Sequence, residues 1–218
     1  MTFAPLPDRP RDRSSAFRLQ LAELARLMEV DLPAGVPFDR EWQGQARMAF
    51  RRALRDVDAL ADQLFEPLLH TGVLDPDPSH NRLFVEAAVT VFGRRRVQAA
   101  LIGYVRSGTD SERAGAARAW YWAQAPLRFR GGQTRVPTPG SKAEFDAVAD
   151  LRAAWHEATL RAFVDNDDLD VRRCILPGLP LNPRHYPAEL HALVAEAVHI
   201  ARTHPDEYLR HRVEHQVG

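Results

Sequence analysis

Asp168-Leu-Asp-Val-Arg-Arg-Cys-Ile-Leu-Pro-Gly-Leu179 opens with an aspartate and continues with Val171, Cys174 and Ile175 at helical spacing. An aspartate just ahead of such a run is placed to accept hydrogen bonds from the free N–H groups of a helix start. The segment reads as a turn, a cap and a short helix with one apolar face. The residues before it repeat earlier in the chain. Leu160-Arg-Ala-Phe-Val-Asp-Asn-Asp-Asp-Leu-Asp-Val-Arg172 aligns with Leu101-Ile-Gly-Tyr-Val-Arg-Ser-Gly-Thr-Asp-Ser-Glu-Arg113. Phe163 falls on Tyr104, Val164 on Val105 and Arg172 on Arg113.

Working outward, every other periodic stretch also steps by three or four. Phe17, Leu21, Leu24, Leu27 and Met28 form one such stripe, with Ser14 and Ser15 able to cap it. Trp42, Ala46, Ala49, Ala53, Val57, Leu60, Leu64 and Leu68 form another, after Asp39, and predict either one long helix or two abutting ones. Further helices are expected from Ser79 to Gly93, from Arg94 to Arg106, and from the turn at 107–110 to about Gln124. Others run over 143–165, 168–178 and 187–202, and from Thr203 towards the end. Residues 126–142 carry glycines and three prolines without periodicity and predict a long loop. Nothing alternates with period two for long enough to predict a sheet, so the reading is all-α.

The echo has a pitch. Arg113 and Arg172 are 59 positions apart. Without the loop at 126–142 the spacing is about 42, inside the range of about 40–47 of two-helix solenoid repeats. The Asp168 to Leu179 motif resembles the start of the second helix of a HEAT repeat, where a turn aspartate precedes a Val-Arg pair. Asp110 to Ala119 is a fainter copy and Asp77 to Ala88 fainter still. The combination of Phe92-Gly-Arg-Arg-Arg-Val97, Ala116-Ala-Arg-Ala-Trp-Tyr-Trp-Ala123 and the Asp168 motif is similar to HEAT-like proteins of actinobacteria, a likeness that carries no activity. The resemblance covers roughly residues 64 to 217 and implies a right-handed α–α superhelix of stacked antiparallel helix pairs, with residues 15–218 expected to form a single helical repeat domain behind a flexible arm at 1–14. It also implies arginines that reach along the stack to neighbouring carboxylates.

Composition bounds the function. The 218 residues are 45% hydrophobic and 27% charged, with a formal net charge of zero, so no global field draws nucleic acid or an anionic membrane. Cys174 is the only cysteine, which excludes an internal disulfide and a cysteine metal cluster. Lys142 is the only lysine, which leaves little room for amine chemistry. The first residues lack the apolar core of a signal peptide, and no apolar run is long enough to span a bilayer; a cytoplasmic location is expected.

Chemical motifs are few. His211-Arg-Val-Glu-His215 spells the inverted zinc-peptidase signature, with two imidazoles four apart on one helix face and Glu214 between them. That chemistry needs a third ligand from well downstream, so a solvated polar face is expected instead, with no metal and no cofactor. Asp165-Asn-Asp-Asp-Leu-Asp170 fails the calcium-loop pattern at its sixth and twelfth positions. Cys174 lies on the apolar side of its helix and reads as a structural thiol. The glycines at 131–132 and 140 lack the Walker spacing.

What remains is arginine with tryptophan, a composition favoured at binding surfaces. Trp120, Tyr121 and Trp122 turn about 100° each, so they cannot all face inward. The expectation is a non-enzymatic scaffold holding a protein or peptide in a concave groove, with Arg113, Trp120, Trp122, Arg172 and Arg173 as contact residues. The alternative is a nucleic-acid binder resembling the HEAT-like alkylpurine DNA glycosylases, which line a concave face with basic and aromatic side chains.

Overall fold

The computed structural model describes residues 11–33, 40–55, 57–130 and 136–217. Among these it contains eleven α-helices and a single two-stranded ribbon. The first ten positions of the expected arm, and Asp39 as a cap, lie outside the described residues. The chain divides into two compact units, one of residues 5–97 and 118–123, the other of 98–117 and 124–218 with 1–4.

The first unit is built around its third helix, which is buried on nearly every side. Helix α1 (Arg11–Met28) begins ahead of Ser14 and Ser15, which therefore lie inside it instead of capping it. Its Phe17, Leu21 and Leu24 are fully buried, spaced by four and three. Helix α2 (Arg40–Ala53) buries Trp42, Ala46 and Phe50. The long stripe after Asp39 resolves into two helices. The chain leaves α2 after Ala53, passes through a 3-10 turn (Asp62–Leu64) and enters α3 (Phe65–Leu74). In α3, Phe65, Leu68, Leu69, Thr71, Gly72, Val73 and Leu74 are all buried, and the helix packs against α1 and α4 (Arg82–Phe92). Gly72 makes the second contact close: a Cβ there would stand 3.0 Å from Val85 Cγ2 and 3.1 Å from Phe84 Cβ. Phe50 and Phe84 meet edge to face at 5.5 Å between centroids. Gly93 then ends α4 at φ +84°, a conformation side chains disfavour.

This unit also buries a charge pair. Arg47 donates from Nε and Nη2 to the two oxygens of Asp75, at 3.0 and 2.5 Å, with the Asp75 side chain fully buried. Burial pushes the Asp75 carboxyl above its ordinary value, against the pull of Arg47 and of the Asp77 N–H.

Helices α5 (Arg94–Ser107) and α6 (Asp110–Ala123) contribute to both units, and their joining turn lies in the second. Residues 126–142 are not wholly irregular. Strands β1 (Phe129–Arg130) and β2 (Val136–Pro137) pair antiparallel, Phe129 opposite Pro137, and helix α7 (Pro139–Asp146) starts within the expected loop. Buried Ser141 pins the segment: its Oγ accepts from Arg128 N–H at 3.0 Å and donates to backbone carbonyls of the same loop. Two-residue strands are too short to leave a periodic trace in sequence.

Helix α8 (Ala149–Asp165) and helix α9 (Leu169–Ile175) follow. The latter ends earlier than Gly178 because Pro177 has no N–H to continue the ladder, and residues Leu176–Gly178 tighten into a 3-10 turn. Helices α10 (His191–Thr203) and α11 (Glu207–Val217) complete the unit. Leu160 and Phe163 of α8, Val171 and Ile175 of α9, Val194 and Ala197 of α10, and Leu209 and Val213 of α11 share one core.

Candidate functional site

Three turns of the second unit are built alike. Thr109 caps α6, accepting from Glu112 N–H, while the Glu112 carboxylate returns to Thr109 N–H at 2.7 Å. Asp168 caps α9 through Val171 N–H at 3.0 Å, and Asp206 caps α11 through Leu209 N–H at 3.1 Å. The aligned arginines then fold back on the helix before. Arg113 Nε donates to Val105 O at 3.2 Å, and Arg172 Nε to Phe163 O at 3.3 Å. Each therefore anchors the end of one helix to the start of the next. The echo in sequence is a repeated cap with a repeated arginine clamp.

The links between turns differ from the expectation. Arg113 and Arg172 keep their carboxylates local, Asp110 at 3.3 Å and Asp167 at 2.8 Å. The first two turns are joined by Asn166, whose Nδ2 donates to Asp110 Oδ1 at 2.6 Å. Arg173 does reach across: its Nε donates to Asp206 Oδ1 at 3.1 Å and its Nη2 to the other oxygen. Both side chains of that pair are about a tenth exposed. Burial raises the Asp206 carboxyl, but the bonds from Arg173 and Leu209 N–H outweigh it and hold the group below its ordinary value.

Where the turn after α5 meets the end of α8 there is a cleft of about 490 Å³. Val105, Arg106 and Arg113 form one wall; Glu157, Arg161, Ala162, Asp165 and Asn166 form the other. Arg161 pairs with Glu157 at 3.0 Å on the α8 surface, while Arg106 and Asp165 are exposed. Three guanidinium groups and two carboxylates thus line the cleft beside Val105, Ala158 and Ala162. Arg113 and Asn166, one on each side of the cleft, both donate to Asp110 Oδ1, which ties the two sides together at that end.

Of the five residues expected to make contact, only Arg113 lines this cleft. Arg172 is buried, clamped as described, and Arg173 is engaged by Asp206. Trp120 is buried in the first unit. Trp122, also of that unit, is half-buried; its Nε1 donates to Asn81 Oδ1 at 2.9 Å and to Pro78 O at 3.2 Å, and Arg82 stacks over its ring at 4.9 Å. Tyr121 is the outward member of the aromatic triplet, 68% exposed, and meets Trp122 edge to face. Sequence reasoning passed over Arg106, Glu157 and Arg161. The echo held a signal for part of this set, since it aligns Arg106 with Asp165, two residues that flank one cleft.

The remaining motifs have definite places. Asn166 and Asp168 are engaged in the turn, Asn166 Oδ1 accepting from Asp168 N–H at 2.7 Å. Cys174 is half-buried against the core, its Sγ 3.5 Å from Asp170 Oδ1. His211 and His215 face each other on α11 with Nε2 atoms 3.1 Å apart. No group of three or more His, Cys, Asp or Glu residues is gathered for a metal among the described residues.

The architecture therefore defines a mostly helical protein of packed helix pairs, with a charged cleft at one repeated turn. No helix among the described residues is long and apolar enough to cross a membrane. No protein family, no curated protein and no solved structure matches the chain.

Proposed function

We propose that the protein is a non-enzymatic, cytoplasmic scaffold module that holds an acidic, extended segment of a partner protein. The second unit is read as HEAT-like, its capped turns marking successive helix pairs of a right-handed α–α superhelix. The reading rests on one observation, the cleft walled by Arg106, Arg113 and Arg161. A cleft lined by valine and alanine beside three guanidinium groups suits a peptide, whose backbone would lie against the apolar residues while its carboxylates meet the arginines. The excess of cation over anion there is small, which favours a short acidic peptide over the continuous phosphate track of duplex DNA.

Selection of a random peptide display library on the immobilised full-length protein tests this. Enriched peptides carrying Asp or Glu, with binding lost at least about tenfold in Arg106→Glu/Arg161→Glu, are the expected result. Both side chains lie on the rim, so folding is expected to survive. Enrichment indifferent to the double charge reversal would remove the cleft from the reading. Duplex DNA binding that falls steeply with salt, unaccompanied by peptide enrichment, would favour the alternative related to alkylpurine DNA glycosylases.

A further inference from the structure

The peptidase reading of His211-Arg-Val-Glu-His215 fails for want of a third ligand, yet the pair itself is better made than a solvated helix face requires. Helix α11 is held along its length. Leu209 and Val213 are buried on one side. Towards its end, Gln216 Nε2 donates to Leu176 O at 3.0 Å and Arg212 Nη2 to Pro177 O at 3.4 Å. The two imidazoles therefore stand on an anchored scaffold and not on a fraying terminus. His215 is exposed and His211 half-exposed. Their rings are perpendicular with centroids 4.3 Å apart, and their Nε2 atoms are 3.1 Å apart.

That separation has a chemical meaning. Two nitrogens each about 2.0–2.1 Å from one metal at a tetrahedral angle stand about 3.3 Å apart. The rings thus already hold their donor atoms within a few tenths of an ångström of a chelating pair. Without metal the same contact is a hydrogen bond, one ring donating from Nε2 and the other accepting. With both rings in the tautomer protonated at Nδ1, both Nε2 atoms carry a lone pair for a metal, on a helix face where His215 is exposed.

We propose that His211 and His215 form a two-imidazole chelate for a late first-row divalent cation, with the remaining coordination positions left to water or to a ligand from outside the chain. Imidazole donors and the general affinity order of such ions place Cu²⁺ first, above Zn²⁺ and Ni²⁺. The site is open, unlike a structural zinc site, which is closed by four protein ligands. It is independent of the peptide-binding proposal, since the cleft shares no residue with α11.

The test is titration of the untagged full-length chain with Cu²⁺ and, separately, Zn²⁺. One equivalent of Cu²⁺ is expected to bind, more tightly than Zn²⁺. His211→Ala and His215→Ala are each expected to weaken it tenfold or more, while His199→Ala, on α10, leaves it unchanged. Electron paramagnetic resonance of the Cu²⁺ form of the unsubstituted protein gives a readout free of any folding defect: hyperfine structure from two equivalent imidazole nitrogens is expected. Absence of saturable Cu²⁺ binding, retention of binding in both alanine variants, or a spectrum without two-nitrogen ligation would each overturn the assignment.

Discussion

Each unit contains a bidentate Arg–Asp pair formed between residues distant in sequence, and the two pairs behave oppositely. In the first unit Arg47 grips Asp75, 28 positions on; in the second Arg173 grips Asp206, 33 positions on. Both aspartates also accept a backbone N–H, from Asp77 and Leu209 respectively. The difference is depth. Asp75 has no exposed side-chain surface, and desolvation wins, so its carboxyl titrates above the ordinary value. Asp206 keeps a tenth of its surface, and its hydrogen bonds win, so it titrates below. Identical donors can therefore stabilise a carboxylate at a helix cap and barely compensate one in a core.

The comparison breaks most sharply at Asp75. Asp75→Ala leaves Arg47 buried without its partner and is expected to cost about 3–5 kcal/mol. Asp206→Ala removes a cap and a partner at a site nearer water, for about 2–3 kcal/mol. Urea denaturation, with hydrogen exchange of peptides from each unit to locate the damage, measures both. Replacing the deeper pair together, Arg47→Met with Asp75→Leu, is expected to recover most of the loss, because an apolar pair carries no desolvation cost. If the two single substitutions cost the same, depth is not the deciding variable.

A smaller contrast sets one glycine of each unit against the other. A Cβ on Gly108 would fall 2.5 Å from Tyr104 O and 2.9 Å from Glu112 Cβ, where the obstacle is backbone beside a capping box. On Gly72 it would meet side chains of α4 at 3.0 Å and just beyond. Gly108→Ala is expected to destabilise by about 2–3 kcal/mol and Gly72→Ala by about 1–2 kcal/mol. Thermal unfolding of the two variants side by side decides the order.

The smallest effect is the sharpest test of sign. Asp206, depressed, contributes stability that is complete above the unfolded-state value of about 3.9 and is lost as pH falls through the lower folded value. Asp75, raised, works the other way: its contribution is complete below the unfolded value and is lost as pH rises through the higher folded one. Urea midpoints between pH 3 and 6 should therefore show a shallower acid loss in Asp206→Asn. In Asp75→Asn the acid loss should be steeper. Parallel profiles would contradict the assignment of opposite shifts.

How far the sequence could be read follows the range of the interactions. Caps were legible because they are local: Asp168 reaches Val171, and Thr109 reaches Glu112, within one helical turn. The helical stripes of α1, α4 and α8 were legible for the same reason. The α2–α3 region stayed open between one helix and two, since the apolar period continues through residues that are not helical. The two-residue strands and α7 inside 126–142 left no period at all. At the candidate cleft, the echo exposed the turns, Arg113 and the matched positions Arg106 and Asp165, but not that these positions face one another, nor Glu157, which lies outside the repeated segment.

The sequence by itself determined the helical class, the capped turns and the recurrence of an arginine four positions after each of the two aligned caps. Periodicity and capping act over three or four residues, which is the range a single sequence reports. Only the tertiary structure decided which arginine is a clamp, which is buried in an ion pair and which faces the cleft. Arg172 and Arg173 are neighbours in sequence, yet a helical step sends one back to Phe163 and the other across to Asp206. A guanidinium group takes the partner that packing brings to it, and packing is set by contacts tens of residues apart.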